Sequence, residues 1–345
     1  MKKHFTAFIV TIVLASSAFG AFRVQQADAH PGRTDAKGGH TCRTNCAKWG
    51  LKDGEYHYHH ADGTPSKTPP KTGAATQEPS TALKADKLKA PSKGKLSVYF
   101  LNVGQGDATY IHTANGDDIL IDGGKNEAGT VVVDYLKQLG VKDIEVMVST
   151  HPDEDHVGGL DTVLKQFAVK SVYAPKVAHT TQTYKDFLLA VKSEGLTIKE
   201  AKAGVSIPLQ GVTAKFAGPG KAYGDDLNDW SAVLRLVYGT TSFLFTGDAE
   251  AQAETDMIAA KETLKADVLK VGHHGSDTST TAAFLKAVAP KYAVISAGAD
   301  NSYGHPKKTI IDRLTGAKAT VYRTDMKGTV TAVSDGTKLT FGTVK

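Results

Sequence analysis

A single ten-residue stretch concentrates side chains that bind metal ions. Residues 150–159 read Thr-His-Pro-Asp-Glu-Asp-His-Val-Gly-Gly, and four potential ligands fall within six positions: His151, Asp153, Asp155 and His156. Two carboxylates and two imidazoles packed this closely would repel or stay unpaired without a cation. In a tight loop the first two side chains can reach one cation and the last two a second. The spacing therefore predicts a site for two divalent metal ions, the alternative being a polar loop in which Asp155 caps a helix.

The flanking sequence predicts how this loop is held. Residues 144–149 form an apolar run that reads as a buried strand, and the glycine pair 158–159 leads into a predicted helix over 160–167. Ligands at the carboxyl end of a strand lie on a rigid edge that faces a crevice. Further strands are predicted over 96–103, 109–112, 118–121, 171–174, 213–217, 232–238, 241–245 and 267–271, and helices over 131–139, 184–193, 250–264, 280–287 and 307–314. Paired strands early and strand–helix alternation later, in two halves, predict an α+β fold, an αββα sandwich with the site at one edge.

The metal-binding stretch is accompanied by five other motifs. In chain order they are Phe-Leu-Asn-Val-Gly-Gln-Gly-Asp-Ala (100–108), Ile-Leu-Ile-Asp-Gly-Gly (119–124), Phe-Thr-Gly-Asp (245–248), Val-Gly-His-His-Gly-Ser (271–276) and Tyr-Gly-His-Pro (303–306). Residues 150–159 resemble the first metal motif of the metallo-β-lactamase fold, His-x-His-x-Asp-His, except that Asp153 stands where most members carry histidine. The ordered set resembles the metallo-β-lactamase-like domain of competence proteins, the DNA-internalisation family, over about residues 95–345. The resemblance implies a metal-dependent hydrolase in which Asp248 bridges two cations, the alternative role for Asp248 being a helix N-cap.

Two histidine motifs supply further candidates. His273 and His274 are predicted to end a strand, where adjacent side chains point in opposite directions. We therefore expect His274 to bind metal and His273 to orient it or contact substrate. His305, which precedes a proline, is either a last metal ligand or the acid that protonates the leaving group. The predicted catalytic residues are Asp155, His273 and His305.

The identity of the metals depends on the substitutions in the ligand set. Where the family normally has another histidine, this chain has Asn-Asp-Trp-Ser at 228–231, as competence-type members do. One metal is thereby left short of an imidazole, and Asp153 makes the site richer in oxygen. Oxygen ligands favour harder ions, so the expected cofactors are two divalent metal ions, with manganese a rival to zinc.

Four residues are expected to contact substrate or to support the ligands. Asn228 and Ser231 occupy the place of the missing histidine. Asp122 ends a predicted strand and is expected to buttress metal ligands through hydrogen bonds. Gln105, in the glycine-rich turn that also contains Asp107, is expected to hold the loop beneath the site rather than to bind phosphate.

The amino-terminal third has a different composition. Residues 1–29 read as a signal peptide, with Lys2 and Lys3 before an apolar run and an Ala-Asp-Ala cleavage signal at 27–29. The mature chain is therefore expected to begin near His30, to lack a membrane span and to be secreted or associated with the cell wall. Residues 61–94, rich in proline, lysine and threonine, are predicted to form a disordered linker.

Residues 30–60 are predicted to form a small Cys/His-rich module. They contain both cysteines, Cys42 and Cys46, and five of the 13 histidines. The segment resembles the Tyr-His-Tyr-His modules of some bacterial secreted proteins. A module this short needs a disulfide or a metal to fold, and the two cysteines are compatible with either, including an extra zinc ion.

The distribution of charge along the chain indicates which classes of molecule the protein would bind. Residues 30–94 contain 11 Lys and Arg against 6 Asp and Glu, whereas residues 95–345 contain 27 against 29. The basic amino-terminal region is expected to hold the protein near anionic polymers such as DNA or cell-wall phosphates, or simply to keep the linker soluble. We expect a hydrolase of 95–345 that cleaves phosphodiester bonds, most naturally in nucleic acid, through a metal-activated water. The alternatives are a lactonase, β-lactamase-like amidase or phosphorylcholine-type esterase, and a non-catalytic wall-associated binding protein.

Overall fold

The structure, a computed structural model, describes residues 39–41, 46, 51–52, 54–59, 65–66 and 83–345. The chain divides into two compact units, 1–80 and 81–345. The predicted signal peptide and most of the predicted linker lie outside the described residues. Among the described residues no helix is long and apolar enough to cross a membrane.

The described part of the first unit is a small antiparallel sheet. Its strands are β1 (Gly39–Thr41), β2 (Tyr56–His59) and β3 (Pro65–Ser66), in the order β1-β2-β3. Cys46 is buried and disulfide-bonded, which favours the disulfide alternative for this module. Cys42, the chain's other cysteine, lies outside the described residues, and a zinc ion in the module stays a prediction.

The second unit contains seventeen strands and eight helices. The strands are β4 (Leu96–Phe100), β5 (Thr109–His112), β6 (Asp118–Ile121), β7 (Asp143–Ile144), β8 (Val146–Val148), β9 (Ala168–Val169), β10 (Val172–Ala174), β11 (Ile198–Glu200), β12 (Ser206–Ile207), β13 (Thr213–Phe216), β14 (Leu234–Tyr238), β15 (Thr241–Phe245), β16 (Val268–Lys270), β17 (Tyr292–Ile295), β18 (Thr320–Arg323), β19 (Val330–Ser334) and β20 (Leu339–Thr343). The helices are α1 (Gly129–Leu139), α2 (Glu154–Val157), α3 (Leu160–Leu164), α4 (Gln182–Ser193), α5 (Ala251–Ala259), α6 (Ala282–Val288), α7 (Lys308–Gly316) and α8 (Thr324–Lys327).

Most of these strands form two sheets, each with a parallel part. The first sheet has the order β11-β10-β8-β6-β5-β4-β19-β20, and the second has the order β12-β13-β14-β15-β16-β17-β18. Strands β6, β8, β10 and β11 run parallel to one another, as do β15 to β18. Because parallel strands end at the same edge of a sheet, the loops that follow them meet there. The predicted Asn115-Gly116 turn joins the antiparallel pair β5 and β6, and Gly116 has a φ of 97°.

Three apolar layers hold the unit together. The inner layer lies between the two sheets and combines side chains such as Val98 and Phe100 with Leu236 and Phe243. A second layer covers the other face of the first sheet with helices α1, α3 and α4, and a third covers the second sheet with α5, α6 and α7. Helix, sheet, sheet and helix thus stack in that order, which confirms the predicted αββα sandwich.

The predicted linker boundary is corrected by the structure at its carboxyl end. Leu83 and Leu88 pack against the apolar layer between the first sheet and helices α1, α3 and α4. Asp86 accepts a hydrogen bond from the backbone N–H of Thr329 at 2.8 Å, and the Tyr99 hydroxyl donates to the carbonyl of Lys89 at 2.8 Å. Residues 83–94 therefore belong to the second unit, because leucines spaced along a proline- and lysine-rich segment still bury apolar surface.

Candidate metal centre

The predicted metal ligands converge at the carboxyl ends of strands from both sheets. His151 lies three residues beyond β8, Asp248 three beyond β15, and His274 four beyond β16. Ligand atoms of four buried residues lie within 4.8 Å of one another: Asp107, His156, Asp248 and His274. The cluster opens into a cavity of about 170 Å³ lined by Gln105, Asp153, Asp155, Asn228, Asp248, His273, His274, Tyr303 and His305.

The loop after β8 places its four candidate ligands on one side. The rings of His151 and His156 lie 4.2 Å apart, and the Nε2 atom of His151 is 3.6 Å from Asp153 Oδ2. Asp155 lies within α2 and directs its Oδ2 to 3.2 Å from His274 Nε2. The N-cap position of α2 belongs to Asp153, whose side chain makes no capping hydrogen bond. Both carboxylates therefore face the cluster instead of serving the helix.

Asp248 lies at the centre of the cluster. One of its oxygens, Oδ1, is 3.1 Å from His156 Nε2, and the other is 3.5 Å from His274 Nε2 and 3.8 Å from His273 Nε2. Its backbone N–H donates to the hydroxyl of Ser231 at 3.0 Å. Helix α5 begins at Ala251, with Glu250 at its N-cap position, so the alternative role of Asp248 as a cap does not match the structure.

The two adjacent histidines differ from the prediction in backbone conformation. Strand β16 ends at Lys270, and the histidines lie in a 3₁₀ turn over Gly272–Gly275, with φ of 46° at His273 and 53° at His274. Left-handed backbone is costly for residues with side chains and concentrates at functional sites. The prediction that they end a strand is wrong. The turn nevertheless separates them: His274 is buried against Asp248 and Asp155, while His273 is partly exposed and its Nδ1 is 2.8 Å from Glu250 Oε1.

Three of the candidate ligand imidazoles accept or donate a hydrogen bond at Nδ1, which fixes the orientation of each ring. His156 Nδ1 is 2.9 Å from Asp122 Oδ2, and His274 Nδ1 is 3.0 Å from the carbonyl oxygen of Ser296. His151 Nδ1 is 3.1 Å from the hydroxyl of Thr150, which itself donates to Asp122 at 2.7 Å. A proton on Nδ1 leaves the lone pair of Nε2 free to bind a cation. Asp122 therefore supports His156 directly and His151 through Thr150, and that these imidazoles bind metal stays a prediction.

The remaining predicted supporting residues lie around the cavity. The Ser231 hydroxyl is 3.5 Å from His151 Nδ1, and the Asn228 amide donates to Glu250 Oε1 at 3.0 Å. Gln105 accepts a hydrogen bond from the backbone N–H of Gly298 at 3.1 Å, which ties the glycine-rich turn to the loop after β17. The His305 ring lies 5.5 Å from that of His273, and both rings line the same cavity as Asp153 and Asp155.

A buried ion pair beneath His274 was not predicted as part of the site. Lys270 Nζ is 2.7 Å from Asp107 Oδ2, and the other Asp107 oxygen is 3.3 Å from His274 Nδ1. Both side chains are almost completely buried. The sequence contains one signal for this pair, since a lysine in an otherwise apolar buried strand requires a counter-charge. Asp107 itself approaches because Gly106, with a φ of 140°, passes directly against the backbone of Asp155, where a β-carbon would collide.

Glu250 was likewise not identified from the sequence. Its Oε1 accepts hydrogen bonds from Asn228 and from the Thr278 hydroxyl, in addition to its contact with His273. Asp229, next to Asn228, accepts hydrogen bonds from the backbone N–H groups of Glu250 and Ala253 and so caps α5. The 228–231 segment is therefore joined to the histidine turn through Glu250.

The donor atoms fit divalent metal ions. The Nε2 atoms of His151, His156 and His274 and one oxygen of Asp248 are buried without a hydrogen-bond partner among the described residues. Buried polar atoms are almost always paired, and an unexplained group signals an ion or water. Imidazole nitrogen and carboxylate oxygen are donors that both zinc and manganese accept.

In the metal-free protein, burial and neighbouring charges shift the pKa values of three histidines in and around the cluster. Burial lowers the pKa of His274, but the carboxylates of Asp248 and Asp107 outweigh it and raise that pKa to about 10. Asp248 and Asp122 likewise raise the pKa of His156 against the effect of burial. Burial and then the cationic neighbours His273 and His274 lower the pKa of His305 to about 4. Protons on His156 and His274 thus balance the carboxylates until a cation displaces them.

Comparisons with known proteins agree with the motifs. Residues 101–299 match the family model of the metallo-beta-lactamase superfamily. The chain is 31% identical over 256 residues to ComE operon protein 3 of Bacillus subtilis (strain 168), covering 69% of this chain and 33% of that protein. It is 34% identical over 248 residues to Recombination protein 2 of Haemophilus influenzae, covering 70% and 29%. The chain therefore spans about a third of the length of these relatives.

Among solved structures, the metallo-beta-lactamase fold protein YhfI from Bacillus subtilis covers 72% of this chain and 100% of its own, at 10% sequence identity and a TM-score of 0.45. The predicted resemblance to competence proteins is confirmed by a further relative, Competence protein ComA of Neisseria gonorrhoeae, which is 30% identical over 241 residues that cover 70% of this chain and 32% of that protein. By its family match, its motifs and its fold, the chain belongs to the metallo-beta-lactamase superfamily.

Proposed function

We propose that this protein is a secreted, metal-dependent phosphodiesterase that acts on nucleic acid. The observation that carries the proposal is a set of donor atoms on His151, His156, His274 and Asp248 that are buried with no hydrogen-bond partner among the described residues, beside a cavity that Asp248 and His274 line. His151 and Asp153 would hold one metal ion, Asp155, His156 and His274 would hold a second, and Asp248 would be a ligand of both. Two bound metal ions would lower the pKa of a water molecule and neutralise charge on a phosphoryl oxygen.

The protein's own residues would bind the substrate and move protons. His273 and His305 line the cavity with their rings 5.5 Å apart. Of the two, His273 is suited to pass a proton to the departing oxygen of a bound ester, because, against the effect of burial, Glu250 raises its pKa, whereas the lowered pKa of His305 leaves that ring neutral near pH 7. Glu250 and Thr278 fix the His273 ring through Nδ1, which leaves Nε2 directed at Asp248 and the cavity. Tyr303, stacked 5.8 Å from His305, supports the second ring.

Three features support a phosphodiester over a carboxylic ester or amide. Asp153 and Asn228 stand where most family members have histidine, so the ligand set is richer in oxygen than the sets that accompany lactam and lactone chemistry. Oxygen-rich sites suit the harder ions that commonly serve phosphate substrates. The names of the relatives, a competence protein and a recombination protein, also favour nucleic acid.

Export and polymer binding complete the proposal. The predicted signal peptide over 1–29 and the basic region over 30–94 would deliver the enzyme outside the cell and hold it near anionic polymers. A secreted reporter fused to residues 1–35 tests export, and retention of the reporter inside the cell would contradict it.

A substrate panel tests the activity. The mature protein is incubated with single-stranded DNA, bis-p-nitrophenyl phosphate, nitrocefin and a homoserine lactone, in the presence of manganese or zinc. We expect the wild type to turn over a phosphodiester. We expect this activity to be lost in Asp248→Asn, whose side chain has the same shape but no charge. No turnover of either phosphodiester with any metal defeats the proposal, and turnover of nitrocefin or lactone alone reassigns the enzyme. A variant lacking residues 30–80 should keep activity on the small ester, because residues 83–94 pack with the second unit; loss of all activity would favour a binding protein.

A further inference from the structure

A second cavity lies beside the metal centre and has a different lining. It measures about 240 Å³ and is lined chiefly by Lys176, Lys202, Lys221, Glu200, Pro219 and Trp230. Three lysines and one glutamate make this lining cationic, although residues 95–345 as a whole carry more acidic than basic side chains. The positive charge is therefore local to this surface.

The strand order places this cavity next to the metal site. Strand β8, which leads to the metal-binding loop, pairs in parallel with β10, and β10 pairs in parallel with β11. Lys176 follows the end of β10 by two residues, and Lys202 follows the end of β11 by two residues. Because neighbouring strands are about 4.8 Å apart, the end of β11 lies about 10 Å from the end of β8. A short oligonucleotide bound at the metals would reach this surface.

One 3₁₀ turn connects the two cavities. Asn228 and Trp230 belong to the same turn, and Asn228 lines the metal cavity while Trp230 lines the second one. With three residues per turn, side chains two positions apart point in well-separated directions. Ser231, the next residue, accepts the 3.0 Å hydrogen bond from the backbone N–H of Asp248 described above. The indole is therefore fixed relative to the metal ligands.

Trp230 is held by its edge and remains partly exposed. Its indole N–H donates to the carbonyl of Gly224 at 3.0 Å, and its ring meets Tyr223 edge to face at 6.4 Å and 81°. These contacts fix the plane of the indole. A planar aromatic ring in a cationic groove is the arrangement on which unpaired bases stack in proteins that bind single-stranded nucleic acid.

The lysines differ in how far they are already neutralised. Lys202 pairs with Glu200 at 2.7 Å, and Lys221 pairs with Asp256 at 2.8 Å. Lys176 is exposed and forms no ion pair with any described residue. Of the three ammonium groups, that of Lys176 is the one left to bind an anion from solution.

We propose, on the basis of the function proposed above, that this cavity binds the nucleotide that flanks the scissile phosphodiester in a single-stranded polynucleotide. The base stacks on Trp230 and the adjoining phosphate is bound by Lys176. Bases in a duplex are stacked on each other and cannot reach an indole, so the site selects single strands.

The test measures binding and turnover separately. Binding of fluorescein-labelled oligo(dT) to the mature protein is followed by fluorescence anisotropy in EDTA, where no metal-dependent cleavage occurs. Trp230→Ala should weaken binding about tenfold, and Trp230→Phe should recover most of it. Lys176→Ala should reduce the slope of log affinity against log salt by about one. Lys286→Ala, which removes an exposed lysine from α6, is the matched control and should change neither quantity.

The outcomes distinguish this inference from the proposed function. With metal, Trp230→Ala should raise the KM for the oligonucleotide far more than the KM for bis-p-nitrophenyl phosphate, which is too short to span both cavities. Equal binding by wild type and both variants, or tighter binding of duplex than of single strand, overturns the inference. If the variants bind the oligonucleotide more weakly but the wild type cleaves no phosphodiester, the proposed nucleotide-binding cavity is supported and the proposed phosphodiesterase activity is refuted.

Discussion

Replacing Lys270 by methionine should destabilise the protein severely. The ammonium group lies 2.7 Å from Asp107 Oδ2, and the two side chains are 2% and 6% exposed. Lys270→Met leaves the Asp107 carboxylate buried, close to the acidic side chains of the metal cluster, with only the His274 ring, 3.3 Å away, to offset its charge. Removal of one member of a buried ion pair costs about 3–5 kcal/mol. For a folded unit of this size that loss lowers the Tm by roughly 6–20 °C.

Differential scanning calorimetry of the EDTA-treated protein measures this change. The matched control is Lys291→Met, which removes an exposed ion pair between Lys291 and Asp267 at 3.0 Å, with the lysine 73% exposed. That control should cost less than about 1 kcal/mol. The double variant Lys270→Met/Asp107→Asn should recover much of the loss, because no buried charge is then left unpaired. Equal, small effects of Lys270→Met and Lys291→Met would refute the assignment of a structural ion pair beneath His274.

Three further predictions concern the metals. Asp248→Ala removes the carboxylate shared by the two sites, so metal content by inductively coupled plasma mass spectrometry should fall from about two per chain towards one or none; a variant with two metals and full activity would contradict the bridging role. Asp153→His restores the commoner family ligand and should shift preference from manganese towards zinc in competition experiments, whereas an unchanged ratio would argue against Asp153 as a ligand. Because the pKa of His156 and of His274 is raised, metal ions must displace protons, so metal affinity measured by titration calorimetry should increase from pH 6 to pH 8, and a constant affinity would show that these imidazoles are not ligands. In the metal-free protein the raised pKa of His274 also stabilises the fold. This contribution is fully present at a pH below the pKa of histidine in the unfolded chain, and it is lost as the pH rises through about 10.

The periodic parts of the fold could be read from the sequence. The hairpin at Asn115-Gly116 was predictable because its turn residues and alternating strands are local signals. Helix α1 was predicted from Val131 and begins at Gly129, an end difference that apolar spacing does not resolve. The packing of residues 83–94 was missed because a few leucines in a polar segment acquire a partner only when the tertiary structure brings α1 and β4 together.

The candidate site was predictable where ligands follow one another in the chain. The composition of residues 151–156 alone indicates a metal site, and the structure brings these residues together with Asp248 and His274. The Lys270–Asp107 pair and Glu250 could not be placed, because their partners are distant in sequence; the lysine in an apolar strand indicates that a counter-charge is needed but not which residue supplies it. The left-handed turn at His273 and His274 was also missed, since non-glycine residues rarely adopt positive φ and the apolar strand before them favours extended backbone.

The pairing of β4 with β19 has a consequence for how the protein acquires its structure. Leu96 is the register partner of Ser334, and Phe100 of Val330, so strands more than 200 residues apart complete the first sheet. Until β19 is available, the apolar β4 presents an open edge of unpaired N–H and C=O groups, a template for intermolecular strand addition. Non-local pairing of this kind also slows folding. Truncation before residue 330 should therefore yield aggregates rather than a smaller folded protein, which size-exclusion chromatography of the truncated protein would detect.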